Sequence, residues 1–147
     1  MKAVLKVKAQ QELGDWLSSF DWDFWATLTT RKELTLPSAR RAVMGFNKFL
    51  ERAGYTRIFF AIEQFDLKEG YHLHALLKLP DVLSYRNIIE TWQHVTGNKK
   101  KHKGKKWNAI NLQKYNPKLG ASHYLAKYIT KELSDYDFIG SKFKNKF

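Results

Sequence analysis

Two apolar segments joined by a short turn constrain the fold of this chain most strongly. The first covers residues 57–65 (RIFFAIEQF) and the second covers residues 71–79 (YHLHALLKL). Both are rich in aromatic and branched aliphatic residues, which are typical of buried strands. Gly70 lies between them, where a turn is expected. We therefore predict an antiparallel hairpin whose second segment is a central strand of a sheet.

The remaining predicted elements alternate between strands and helices. They are a strand over residues 24–30, a helix opening at Pro37-Ser38 and ending near Gly54, a helix from the N-cap Ser84 to Gly97, a strand over residues 107–115 and a helix over residues 122–133. The order β-α-β-β-α-β-α predicts an α+β fold. We expect a ferredoxin- or RRM-like antiparallel sheet of about five strands with helices packed on one face.

The length of 147 residues predicts a single domain over residues 1–147 with its core roughly at 24–132. Residues 1–22 and 136–147 carry no clear pattern and are treated as extensions. We expect the tail FIGSKFKNKF to pack on a partner or to stay mobile.

The charge balance predicts a polyanionic partner. Lys and Arg number 26 against 14 Asp and Glu, a formal net charge of +12, and basic side chains near phosphates release condensed counterions. The alternative is a basic protein that is merely soluble.

The absence of cysteine excludes disulfides and fits an intracellular protein. No signal peptide or membrane-spanning run is evident, so we expect a cytoplasmic protein without a membrane partner.

Three residues of the hairpin are candidate metal ligands. His72 and His74 alternate on one strand and therefore share a face. Glu63 is the only acidic residue in the other strand, and a buried carboxylate is costly unless it is paired or bound to a cation. A loop over residues 67–70 would place Glu63 opposite His74 and Phe65 opposite His72. We predict a site for Mn²⁺ or Mg²⁺; the alternative is polar residues on a solvated strand face.

The last predicted helix combines phenol and ammonium groups. Four residues fall within an arc of roughly 100°: Tyr124, Lys127, Tyr128 and Lys131. The opposite side carries the apolar residues Leu125, Ala126, Ile129 and Leu133. Ammonium groups favour a phenolate and can neutralise charge on a phosphate. The helix is therefore a candidate source of a tyrosine nucleophile, or an amphipathic helix whose tyrosines are half-buried packing residues.

A basic run over residues 98–108 (NKKKHKGKKWN) is a candidate DNA-binding loop. Its six lysines are Lys99, Lys100, Lys101, Lys103, Lys105 and Lys106. The pairs Arg31-Lys32 and Arg40-Arg41 would extend the positive surface. Trp107 and Tyr115 either stack on unpaired bases or belong to the core. The alternative for the run is a solvated loop with no fixed partner.

Together these segments resemble the HUH endonuclease superfamily. FWATLTT at residues 24–30 resembles its first motif. HLHALL at residues 72–77 resembles its metal-binding motif, with Glu63 in the place of the extra acidic ligand. YLAKYITK at residues 124–131 resembles its nucleophile helix. The blocks occur in the family's order and span roughly residues 24–132.

The resemblance implies a rolling-circle replication initiator of plasmid, phage or viral kind. It implies that Tyr128 is the primary nucleophile and Tyr124 the second, with Lys127 and Lys131 as their basic neighbours. The expected reaction nicks single-stranded DNA at an origin or hairpin through a 5′-phosphotyrosine intermediate. No helicase segment follows, so we expect any unwinding to come from a separate helicase. The alternatives are a transposase or relaxase of the same superfamily, or a non-catalytic RRM-like nucleic-acid-binding module. The sequence leaves the oligomeric state open.

Overall fold

The computed structural model describes residues 2–65, 67, 69–97, 110–131 and 135–141. The described part contains four α-helices and five strands. The helices are α1 (Lys2–Ser18), α2 (Leu36–Leu50), α3 (Tyr85–Val95) and α4 (Ala121–Lys131). The strands are β1 (Phe24–Leu28), β2 (Arg57–Gln64), β3 (Tyr71–Lys78), β4 (Ile110–Lys114) and β5 (Asp135–Gly140). Side chains are described from residue 8 onward in α1 and up to residue 126 in α4.

The five strands form one antiparallel sheet in the order β4-β1-β3-β2-β5. The first four strands and the helices α2 and α3 between them follow the predicted β-α-β-β-α-β order. The α+β, ferredoxin-like fold predicted from the sequence is therefore confirmed. The hairpin of β2 and β3 lies inside the sheet because β1 and β5 flank it.

Helices cover both faces of the sheet, so the prediction of helices on one face is wrong. On one face α2 and α3 pack against residues such as Phe60, Leu73 and Ala75. On the other face α1 and α4 contribute Leu17 and Leu125 to a second cluster. Consecutive residues of β2 and β3 are buried, and a strand that is apolar on both sides needs cover on both faces.

Local sequence signals explain where α2 and α3 begin. Thr35 caps α2, and its hydroxyl accepts the backbone amide hydrogen of Ser38 while the side chain of Ser38 returns a bond to the cap. Ser84 and Asn87 form the same reciprocal arrangement at the start of α3. Such capping boxes satisfy amide groups that have no partner within the helix. The predicted cap of α3 at Ser84 is confirmed, and α2 begins at Leu36, one residue before the predicted opening at Pro37-Ser38.

The predicted extensions form α1 and β5. The apolar residues of α1 are spread around the helix, so it lacks the apolar stripe that identifies an amphipathic helix. Strand β5 pairs with β2 and is further held by Arg40, whose guanidinium bonds Asp135 and Asp137. No helix in the described part of the chain is long and apolar enough to cross a membrane.

Candidate metal centre

The face of the sheet that carries α1 and α4 also carries a cluster of three potential metal ligands. Strand β2 supplies Glu63, and strand β3 supplies His72 and His74. Glu63 Oε2 lies 3.2 Å from His74 Nε2 and 3.7 Å from His72 Nε2. The two Nε2 atoms are 3.1 Å apart. The three predicted ligands therefore converge on one point of the sheet.

The register that brings them together differs from the predicted one. Glu63 lies opposite His72, and Ala61 lies opposite His74. The turn is closed by a hydrogen bond from the backbone amide of Phe65 to the carbonyl of Gly70. The prediction was displaced by two residues along the partner strand. A displacement by an even number keeps each side chain on its face, so the convergence persists although the directly opposed pairs change.

The cluster fits a divalent cation by donor type and by spacing. Ligand atoms that bind one ion at bond lengths near 2.1 Å lie roughly 3 Å apart, as these three atoms do. Burial, and to a smaller extent the neighbouring imidazole of His72, lowers the pKa of His74 to about 4. The imidazole of His74 is thus neutral at physiological pH, and a neutral imidazole is the form that binds metals. Two imidazoles and one carboxylate suit Mn²⁺, or Mg²⁺ with water in the remaining positions.

Neighbouring side chains fix the orientation of both imidazole rings. The hydroxyl of Thr27 on β1 lies 3.4 Å from His74 Nδ1, so that Nε2 points towards the cluster. The indole of Trp25 stacks on His74 with the ring planes 4° apart, and the ring of Phe65 stacks on His72. Such outer contacts hold metal-binding imidazoles in one orientation. Sequence reasoning did not assign roles to Trp25 and Thr27, although their alternation on β1 is visible in FWATLTT.

Helix α4 brings one predicted nucleophile next to the cluster. The ring of Tyr124 lies nearly perpendicular to the rings of His74 and Trp25, with its centroid 6.0 and 5.9 Å from theirs, and the residue is 44% exposed. Leu125 is fully buried against the sheet, as predicted. His123 bonds Asp15 of α1 with Nε2 2.8 Å from Oδ1. Helix α1 therefore helps to set the position of α4, and so of Tyr124.

Several predicted site residues lie outside the described part. The backbone of Lys127, Tyr128 and Lys131 belongs to α4, but their side chains are not among those described. All six lysines of the basic run fall in the undescribed segment 98–109, as does Trp107. The residue that follows this segment, Ile110, pairs with Leu28 at the end of β1.

Three further residues that were predicted to contact DNA have definite positions in the structure. Arg31 is exposed in the loop after β1, at the end of the sheet where His72 lies. Arg40 is engaged by Asp135 and Asp137, so its charge is not free to extend a DNA-binding surface as predicted. Tyr115 packs in the second apolar cluster with its hydroxyl 3.0 Å from Ser122 Oγ, which makes it a packing residue.

The fold and the site together define an α+β protein with a candidate two-histidine, one-carboxylate cation site on its sheet. Comparison of the chain with protein-family models, with curated proteins and with solved structures finds no match.

Proposed function

We propose that this protein is a metal-dependent endonuclease of the HUH type that nicks single-stranded DNA with a tyrosine of α4. One observation carries the proposal. The ring of Tyr124 packs against His74, so a nucleophile of the required type lies beside three side chains that suit a divalent cation. A structural tyrosine would not need to be half-exposed at a cluster of ligands. Tyr128, the primary nucleophile by resemblance, lies one helical turn further along.

The chemistry is a transesterification at phosphorus. A divalent cation bound at the cluster would polarise a non-bridging phosphate oxygen. The phenol oxygen of Tyr124 or Tyr128 attacks phosphorus and forms a phosphotyrosine bond while the bond to the 3′ oxygen breaks. The phenol proton passes to solvent, and the 3′ oxygen leaves as a hydroxyl. Because the phosphoester is conserved in the protein-linked 5′ end, rejoining needs no nucleotide cofactor.

The biological role that we propose is the initiation of rolling-circle replication. The substrate is a single-stranded origin or hairpin, and the net charge of +12 favours binding to its backbone. The site of action is the cytoplasm of the cell that carries the plasmid, phage or virus. A transposase or relaxase shares this chemistry and differs in its DNA substrate. Trp25 favours a second function, because an aromatic ring on an inner strand also suits a non-catalytic RRM-like module.

Covalent capture of DNA tests the proposal. The protein is incubated with Mn²⁺ and a varied pool of single-stranded DNA, labelled at the 3′ end in one sample and at the 5′ end in another, and resolved on a denaturing gel. The 3′ label is expected in a protein-linked band, and the 5′ label in a shortened free strand. Loss of the band in Tyr124→Phe or Tyr128→Phe names the nucleophile, and loss only in the double variant indicates two interchangeable tyrosines.

Tyr136→Phe is the matched control, because Tyr136 is a tyrosine of similar exposure on β5 and should leave the band intact. Excess EDTA should abolish the band but leave most DNA affinity, which is mainly electrostatic. A band that persists in EDTA removes the metal from the proposal. Salt-sensitive binding with no covalent band under any condition replaces the endonuclease with the binding module.

A further inference from the structure

A cleft adjoins the candidate metal centre and is not required by the nicking chemistry. It has a volume of about 310 Å³ and lies between β1, β4 and the start of α4. Its walls include Trp25, His74, Gln113, Asn116 and Tyr124. This volume is at the lower end of the range for small-molecule sites, which is ~300–1,000 Å³. Since His74 forms part of one wall, the cleft opens directly onto the cation cluster.

The position of β4 explains why this cleft is accessible. Strand β4 is at the edge of the sheet, and Gln113 lies opposite Trp25 in the β1–β4 ladder. The apolar cluster under α1 and α4 centres instead on Phe59, Ala61 and Leu76 of the inner strands β2 and β3. The side chains of β4 on this face are therefore left exposed beside the aromatic ring of Trp25.

The lining combines aromatic rings with amide groups. Trp25 and Tyr124 present rings at 88° to each other, which gives the cleft both a face and an edge for an aromatic ligand. Gln113 offers both a donor and an acceptor through its amide. Asn116 also lines the cleft, and its Oδ1 accepts the backbone amide hydrogen of Lys118, which holds the side chain in place. Stacking surfaces with amide groups at their border match the face and the edge of a nucleobase.

The charge of the cleft agrees with a nucleic-acid ligand. Lys114 is among the lining residues, and none of the described lining residues is acidic. Lys114 lies opposite Phe24, which packs in the core on the α2/α3 face, so its ammonium group belongs to that face of the sheet. The cleft lining itself adds no carboxylate that would repel a backbone phosphate. The adjacent cluster of Glu63, His72 and His74 is where the proposed scissile phosphate would lie. The cleft and the cluster are adjacent, because His74 belongs to both.

We propose that this cleft binds one unpaired nucleobase of the DNA strand, adjacent to the scissile phosphate, with Trp25 and Tyr124 as stacking groups and Gln113 as the group that reads the base edge. This inference rests on the proposed function and names the part of the substrate that the site recognises. The base positions the strand, so the nick falls at one preferred step in a sequence.

A base-deletion cycle tests this inference without requiring catalysis. Binding of a fluorescent single-stranded oligonucleotide, chosen from a random pool for affinity, is measured by anisotropy in EDTA, with each nucleotide replaced in turn by an abasic one. Wild type should lose about tenfold in affinity at one position, the size of a base-stacking contact. In Trp25→Ala, the abasic nucleotide at that position should cause little further loss of affinity. In Gln113→Ala, the loss should be intermediate between that of Trp25→Ala and that of the wild type.

Asn111→Ala is the matched control, because Asn111 is exposed two residues before Gln113 on β4 and does not line the cleft. It should keep the abasic effect of the wild type. Gln113→Ala keeps the test decisive if Trp25→Ala fails to fold, since Gln113 is an exposed edge residue.

An abasic profile that is identical in wild type, Trp25→Ala and Gln113→Ala overturns the base site. Its failure is distinguishable from failure of the nicking proposal. A covalent band in Mn²⁺ with no sensitive position keeps the nuclease and removes the base site. A sensitive position coupled to Trp25 or Gln113, with no covalent band, keeps the base site and removes the nuclease. No binding of single-stranded DNA removes both.

Discussion

The hydroxyl of Thr27 lies 3.4 Å from Nδ1 of His74, on the side of the imidazole ring that faces away from Glu63. This contact joins β1 to β3 and leaves Nε2 of His74 directed at the cation cluster. A side chain that is not itself one of the three candidate ligands thereby helps to set the direction of the His74 imidazole.

Removal of the Thr27 hydroxyl should weaken metal binding. We expect Thr27→Val to lower Mn²⁺ affinity about tenfold, because outer-shell partners of metal-binding histidines contribute roughly 10–100-fold. Thr27→Ser keeps the hydroxyl and should bind nearly as well as wild type. Isothermal titration calorimetry measures both. Equal affinities for the valine and serine variants would contradict a role for the hydrogen bond.

Metal binding should stabilise the folded protein through the cluster. Free Mn²⁺ at a hundredfold over its Kd should add about 2.7 kcal/mol to the free energy of unfolding. The double variant His72→Ala with His74→Ala should remain folded by circular dichroism but lose this gain. Thermal unfolding with and without Mn²⁺ measures the difference. An unfolded double variant would instead assign the two histidines to the core.

The contact of Arg40 with β5 should contribute to stability. Arg40 Nε lies 2.9 Å from Asp135 Oδ2, and Nη1 lies 2.9 Å from Asp137 Oδ2. These bonds raise the pKa of Arg40 further above its usual range. Because the three side chains are between 32% and 47% exposed, solvent screening limits the loss of stability in Arg40→Met to about 1 kcal/mol. Urea denaturation should show this loss, with Arg41→Met as the exposed control that changes little.

Two helical glycines should respond in opposite directions to alanine. A Cβ at Gly14 of α1 would lie 2.2 Å from Cδ2 of His123, so the imidazole must move and its bond to Asp15 is lost. A Cβ at Gly45 of α2 would meet nothing closer than Val95 at 3.8 Å. Gly45→Ala should therefore gain up to ~1 kcal/mol from helix propensity. Gly14→Ala should lose stability in spite of the same propensity gain.

Urea midpoints of the two variants provide the measurement. If Gly14→Ala were more stable than the wild type, the contact between α1 and α4 would rearrange at little cost in free energy. In that case His123 would contribute little to the position of Tyr124.

The sequence by itself predicted the elements that have strong local signals. Pro37-Ser38 and the N-cap Ser84 mark helix starts to within one residue, and the alternation of His72 and His74 identifies a shared face. The convergence of Glu63 with the two histidines could be predicted for the same reason, because a period of two assigns each side chain to a face. Helix α1 has no comparable signal, because its apolar residues do not form a stripe.

Only the tertiary structure decided what depends on pairing between distant segments. The register that sets Glu63 opposite His72 follows from closure of the turn between Phe65 and Gly70. The alternation of side chains could not predict it, because a register displaced by two residues places the same side chains on the same face. The packing of Tyr124 on His74 depends on how α1 and α4 lie on the second face of the sheet. Alternation determines which side of a strand a residue occupies, but the position of its neighbours is determined by the packing of the whole chain.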